Sequence, residues 1–203
     1  MDRFGMRSAK GQVLVMFVLV AAVLVMALGL AIDASGGWWK SQRQNDAIEI
    51  AKESVLSRSN EIKFNATDST RAIDEIAYAS LTQNLSEIDA SKVTITSWEE
   101  PQSKTGSMNR LIGVEIEVVG TYKCFFAKTF GFGTLPVRNT ITFTINPYSS
   151  TEVWRQSTSG HGCRLTKTAD KAVGQEGYQT LTVSSDISEA LNKAIQKGLA
   201  ELS

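Results

Sequence analysis

Residues 13–32 read VLVMFVLVAAVLVMALGLAI, a run with no charge and no strongly polar side chain. A helix rises about 1.5 Å per residue, so one of this length crosses about 30 Å, the thickness of a bilayer hydrocarbon core. Thirteen of its residues are Val, Leu, Ile or Phe. At about −0.3 to −0.6 kcal/mol each near the membrane centre they sum to about −4 to −8 kcal/mol, an upper bound because residues near the ends count less. No comparable run follows. The expectation is one transmembrane helix at 13–32, preceded by a basic cytoplasmic leader at 1–12.

The flanks orient it. Arg3, Arg7 and Lys10 precede the run against Asp2 alone, while Asp33, Trp38 and Trp39 follow. Positive charge stays cytoplasmic and Trp favours the interface. The N-terminus is therefore expected inside the cell membrane and the C-terminal domain outside the cytoplasm. A cleaved secretory signal, with Ala27-Leu28-Gly29 as a small-residue site, fits less well. The apolar core of such a signal runs to about 7–15 residues.

The rest of the chain is long enough for one ordinary domain with its own core. Lys plus Arg equals Asp plus Glu, so the formal charge is zero. That argues against nucleic acid as a partner, which would want a basic face. It suits a subunit that associates, because a near-neutral surface resists self-association less. Cys124 and Cys163 both fall on the exported side. An even count in a compartment that can be oxidising favours a disulfide over two separate buried thiols. Closing a loop of about 40 residues would contribute about 4 kcal/mol on the chain-entropy model.

Gly36 and Gly37 predict a break or a flexible joint after the membrane run, since each Gly costs a helix about 1 kcal/mol relative to Ala. Helical pattern resumes over 41–59, with Ala47, Ile48, Ala51 and Val55 on one face. A second helix is expected from about Thr70 to Ile88, with Asp74 and Glu75 in its first turn. From Lys92 the period becomes two. Val93 and Ile95, then Ile112, Val114, Ile116 and Val118, then Val137, Ile141, Phe143 and Ile145 mark strands. Residues 148–177 carry no readable pattern, and 178–183 is a short strand candidate. The chain closes on an amphipathic helix whose stripe is Ile187, Ala190, Leu191, Ala194, Ile195, Leu199 and Leu202, started by a capping box of Asp186 with Glu189. That stripe is expected to cover the chain's own sheet rather than a partner helix. The fold class read from this is α+β. A long N-terminal transmembrane helix continues into an amphipathic helix, and an antiparallel sheet follows with helices on one face. The expected divisions are an exported domain at 33–147 and a Ser/Thr/Gly-rich extension with its helix at 148–203.

Three passages in this order resemble the TadE/TadG-like pseudopilins of the tight-adherence (Flp-type) pilus system. Lys10-Gly11 opens directly into the apolar run. Ala31-Ile32-Asp33 is followed by Gln44-Asn45-Asp46-Ala47, similar to that family's Asp ending the span and later Asp-Ala on the helix. Residues 113–145 resemble its strand, Phe-Gly connection and strand. Residues 148–203 are outside the resemblance. It implies a pilin-like fold and, in the TadE-type members, prepilin-type processing between Gly11 and Gln12. Those members carry Glu-Phe at the fifth and sixth mature positions, where this chain has Met16-Phe17. Methionine cannot pair with a neighbouring N-terminal amine as a carboxylate in lipid would. This tilts the expectation toward a membrane-retained TadG-like component.

Other patterns carry less. His161, in Ser159-Gly160-His161-Gly162-Cys163, reads as an exposed loop histidine. No G-x-S-x-G elbow accompanies it, and a metal site built on Cys124, His161 and Cys163 lacks a fourth ligand. Asp33-Ala34-Ser35 is only superficially a metal loop. Glu99-Glu100 and Glu115/Glu117 read as solvated faces. Gly131 and Gly133 lack the Lys and Ser/Thr of a phosphate loop, and Asn65-Ala66-Thr67 and Asn84-Leu85-Ser86 match a chance-prone glycosylation tripeptide. No catalytic, metal or cofactor site is expected. The sequence points to a minor pseudopilin or membrane-anchored assembly component of a tight-adherence, type IV-like pilus. Its partners would be other pilins, pseudopilins or assembly proteins together with the lipid bilayer. The alternative is a membrane-tethered extracytoplasmic binding or adhesion module with ligand contacts in 148–183. A membrane-anchored enzyme would have to rely on His161.

Overall fold

The computed structural model describes residues 6–59, 62, 68–85, 90–106, 109–146, 159–168 and 177–202. Helix α1, Met6–Ser57, runs for 52 residues. It is long and apolar enough to cross a membrane, and its large apolar side chains from Val13 to Ile32 are exposed. The expected break at Gly36-Gly37 is absent, because both glycines lie inside the helix. Then come α2, Ser69–Asn84, strand β1, Lys92–Glu99, a helical turn Gln102–Thr105, and β2, Ile112–Lys123. A 3-10 turn, Ala127–Phe130, leads to β3, Thr134–Ile145. Strands β4, His161–Thr168, and β5, Gly177–Leu181, precede α3, Glu189–Leu202. The chain divides into two compact units. One holds the N-terminal residues through Lys40 with Tyr122–Leu135, and the other holds Ser41–Thr121 with Pro136–Ser203.

The second unit is an α+β domain. Its antiparallel sheet has the order β3-β2-β1-β4-β5. The alternation of β2 puts Ile112, Val114, Ile116 and Val118 on one side, where they are fully buried. There they join Ile95 of β1, Leu165 of β4, the Ala47, Ile48, Ala51 and Val55 face of α1 and the Ile73, Ala77 and Leu81 face of α2. Each Val, Leu or Ile buried in this way contributes about 1.5–3 kcal/mol relative to exposure. Helix α2 starts on Asp68, whose carboxylate accepts the amides of Thr70 and Arg71 at 3.1 and 3.3 Å. Its last helical residue is Asn84, so the described helix stops short of the expected Ile88.

The opposite face of the sheet is covered as well, by α3. A side chain at Gly113 would meet Ile195 at 2.5 Å and Leu191 at 3.0 Å. Leu191 and Ile195 are fully buried in a second cluster with Trp98, Leu111, Leu181 and Ile187. The expectation of helices on one face is therefore corrected. Successive residues of a strand face opposite ways, and β2 offers Ile112 and Val114 to one layer and its glycine to the other. Nor does Asp186 cap α3. The Ser188 hydroxyl accepts the Leu191 amide at 3.0 Å, the N-cap arrangement, and itself donates to Glu115.

Residues 161–202 supply two strands and a helix to the same sheet that 92–145 build. Strand β4 pairs with β1 along its whole length, Thr96 opposite Arg164. It went unread in the sequence because His161-Gly162-Cys163-Arg164 does not alternate cleanly. A side chain at Gly162 would meet the Ser97 carbonyl oxygen at 2.5 Å, and one at Gly160 would meet the Trp98 ring at 2.6 Å. These glycines mark close approach within and beside a strand, not a mobile loop.

Candidate functional site

In the first unit, one face of α1 carries Gly29, Asp33 and Gly36, spaced so that they lie one above another. The residues between β2 and β3 fold onto this face. A side chain at Gly29 would lie 2.6 Å from the Phe126 ring and 2.9 Å from its Cβ, and one at Gly36 would collide with the Tyr122 ring. Leu135 lies beside Gly37. Gly36, one of the two glycines that looked like a helix break, is instead, like Gly29, a place where the helix surface is low enough to receive an aromatic side chain.

Between them, Asp33 is buried. Its carboxylate accepts three backbone amides, Phe125 at 2.8 Å, Phe126 at 2.8 Å and Ala127 at 2.6 Å. These amides open the 3-10 turn, where N–H groups lack partners within the turn and favour an anion. Charge-assisted bonds of this kind are roughly twice as strong as neutral ones. The turn closes on itself through Thr129 to Phe126, Gly131 to Lys128, Phe132 to Ala127 and Cys124 to Gly133, each amide donating to a carbonyl at 3.0–3.1 Å. Gly131 takes φ 90°, the left-handed region that favours glycine, at the end of the turn. Phe125, Phe130 and Phe132 are left exposed, as are Trp38 and Trp39 on α1.

A second polar constellation lies within the α+β unit. Arg110 grips Glu99 with two parallel bonds, Nε to Oε1 at 2.8 Å and Nη2 to Oε2 at 2.7 Å. The Ser69 hydroxyl donates to Glu99 at 2.6 Å and accepts from Arg110 at 2.8 Å. All three are buried. His161 is not an exposed loop residue. It opens β4, half-buried, with Nε2 3.8 Å from Glu99 and 4.0 Å from Asp68. Ser69 is committed to Glu99 and Arg110, so no nucleophile–base hydrogen bond joins it to His161. Glu99 and Glu100, read as a solvated pair, are both buried. Glu100 meets Lys104 at 2.8 Å and accepts the Trp98 indole N–H at 3.1 Å.

Asp74 is fully buried, and neither of its oxygens has a hydrogen-bond partner. Ser97 and Cys163 lie beside it, but the Ser97 hydroxyl is given to the Thr70 carbonyl at 2.9 Å. Burial pushes the Asp74 carboxyl well above the usual carboxylate range; the neighbouring Ser97 and Cys163 oppose this only in part, and the charges of Asp68 and Glu75 add to it. Burial, with Asp74 adjacent, pushes the Cys163 thiol up to about 12.

The expected disulfide is absent. Cys124 and Cys163 are both buried free thiols. Cys124 leads into the Asp33-bound turn of one unit, while Cys163 sits within β4 of the other, opposite Ser97 and Thr180. Each is fixed by its own surroundings. Of the remaining residues singled out in the sequence, Gly11 and Gln12 lie inside α1, where Gln12, Met16 and Phe17 are exposed. Of the two family-like aspartates, Asp46 is exposed and Asp33 is buried. Glu117 is not simply solvated, since Arg138 reaches it at 2.5 Å. Asn65-Ala66-Thr67 and Ser86 lie outside the described residues, as does most of 148–177 apart from β4. Among the described residues no group of three or more His, Cys, Asp or Glu could hold a metal ion. The clamp that Asp33 makes on the amides of Phe125, Phe126 and Ala127 was not read from the sequence, although the Gly29, Asp33, Gly36 spacing puts small residues around an acid on one helix face. Comparison with protein-family models, with curated proteins and with solved structures gave no match.

Proposed function

We propose that this chain is a membrane-anchored assembly component or minor pseudopilin of a tight-adherence (Flp-type) pilus. One observation supports this reading above others. Helix α1 runs unbroken from an exposed apolar N-terminal stretch into a segment whose Ala47, Ile48, Ala51 and Val55 face is buried in the core of an antiparallel α+β unit. That is the long-helix-and-sheet layout implied by the resemblance of residues 10–56 and 113–145. The chain acts by packing: the helix tethers it beside other subunits, with the N-terminus cytoplasmic, and the α+β unit presents a surface beyond the bilayer.

The test is co-purification from detergent-solubilised cells after mild cross-linking. Recovery of pilins or pilus-machinery proteins supports the reading, and a preparation free of them overturns it. Intact mass then separates its two forms. A chain starting at Gln12 is a processed pseudopilin, and one starting at Met1 is a permanent anchor. The alternative, a tethered module binding ligand through 148–183, gains nothing from β4, which is an interior strand of the sheet.

A further inference from the structure

We propose that the loop from Cys124 to Gly133 is a second membrane-inserting element, burying Phe125, Phe130 and Phe132 in the phospholipid leaflet nearest the C-terminal end of the apolar run. This rests on reading α1 as a membrane span. Three observations within the first unit carry it.

The first is depth. Phe126 packs against Gly29, which lies inside the apolar run and one helical turn, about 6 Å, before Asp33. A loop held there by Phe126 lies beside the hydrocarbon end of the helix, not beyond it. The second is exposure. Phe125, Phe130 and Phe132 are 79%, 50% and 66% exposed, so three large aromatic side chains of one short segment each leave half or more of their surface open. Exposed Lys128 stands among them, with a stem long enough to bring its charge back to the headgroups. Trp38 and Trp39, exposed just beyond the run, have the amphipathic character of interfacial anchors.

The third is backbone satisfaction. Irregular backbone inside a bilayer is tolerated only when its polar groups are met by protein, because no water is there to meet them. The amides of Cys124, Phe125, Phe126, Ala127, Thr129, Gly131 and Phe132 are all met, three by Asp33 and four by carbonyls of the loop. Asp33 in turn avoids the penalty of an unpaired charge at the edge of the hydrocarbon, because the loop supplies its partners.

The full-length protein, reconstituted in phosphatidylcholine–phosphatidylglycerol vesicles, tests this. An environment-sensitive nitrobenzoxadiazole dye is attached in turn at Phe132→Cys, Val18→Cys and Lys197→Cys. The native thiols are buried, so labelling of the folded protein falls on the introduced residue. Phe132 is mostly exposed, so its replacement leaves the fold intact. The expected result is loss of emission to nitroxide-labelled lipid and protection from aqueous iodide at positions 18 and 132, with the reverse at 197. Lipid quenching at 18 together with iodide quenching at 132 overturns the loop insertion and leaves the span standing. Protection of 132 from both quenchers also overturns it, because the loop would then face protein. Iodide quenching at 18 overturns the span and the loop insertion together.

Discussion

The carboxylate of Asp33 holds the backbone amide of Ala127 at 2.6 Å, joining a helix to a turn 94 residues further along the chain. With Phe125 and Phe126 also bound, one side chain fixes the turn. Asn keeps a single acceptor oxygen, and Ala keeps none. Asp33→Ala should therefore leave three amides without their acceptor, that of Ala127 buried and those of Phe125 and Phe126 partly so, at about 1–3 kcal/mol for the buried one. Trypsin should then cut the detergent-solubilised variant faster at Lys123 and Lys128. Wild-type protection in Asp33→Ala would show that the turn is held by other contacts.

Gly29→Ala sets two effects against each other. Alanine favours the helix by about 1 kcal/mol, yet its Cβ would stand 2.6 Å from Cγ and Cδ1 of Phe126. Because Cγ and Cβ are the root of that side chain, the ring cannot swing clear without moving the turn. The clash should dominate, seen as faster hydrogen exchange at the Phe125–Ala127 amides. Ala22→Gly, at an exposed position, should leave them unchanged. Slower exchange in Gly29→Ala would mean that helix propensity wins.

Arg110 and Glu99 form a buried two-bond pair. Removing one partner strands the other charge and costs about 3–5 kcal/mol, whereas replacing both by apolar residues is often neutral. Arg110→Met should thus lower the thermal midpoint sharply, and Arg110→Met with Glu99→Leu should regain most of the loss. Ser69 limits the recovery, since its hydroxyl loses both partners. A double variant no better than the single one would show that the pair contributes more than charge neutralisation.

Asp74 sets a pH dependence of uncommon sign. Its folded carboxyl titrates above the unfolded one, so the folded state binds more protons. Its contribution to stability is then fully present below the ordinary Asp value of about 3.9 and declines as pH rises toward the raised folded value. Chemical denaturation between pH 4 and 8 should show Asp74→Asn losing this decline. Parallel wild-type and variant profiles would mean that Asp74 is ionised in both states.

The periodic parts of the chain were legible. The alternation of β2 and the apolar stripe of α3 are dictated by burial on one side, and the structure follows them. Features set by contact rather than by period were not. Gly36 and Gly37 read as breakers because helix propensity sees only the backbone, whereas the Tyr122 ring needs the lack of a side chain at Gly36. Gly113, lost among the glutamates of β2, is the seat of Leu191 and Ile195, which is why the second helical face went unseen. Glu99 looked solvated because its partner Arg110 lies across a connection rather than at a pattern position. The Asp33 clamp joins residues far apart in sequence, so no local signal could pair them, although small residues one turn either side of the acid were there to be read.

The place of β1 has a consequence for how the molecule comes into being. Thr96 lies between Glu115 of β2 and Arg164 of β4, and the chain is made from its N-terminus. One edge of β1 therefore stays open until β4 has left the ribosome, a delay on the order of several seconds at about 5–20 residues per second. Through that interval the strand presents bare N–H and C=O groups that any other extended chain can pair with. A stop codon before residue 161 would release a chain that keeps this edge open for good.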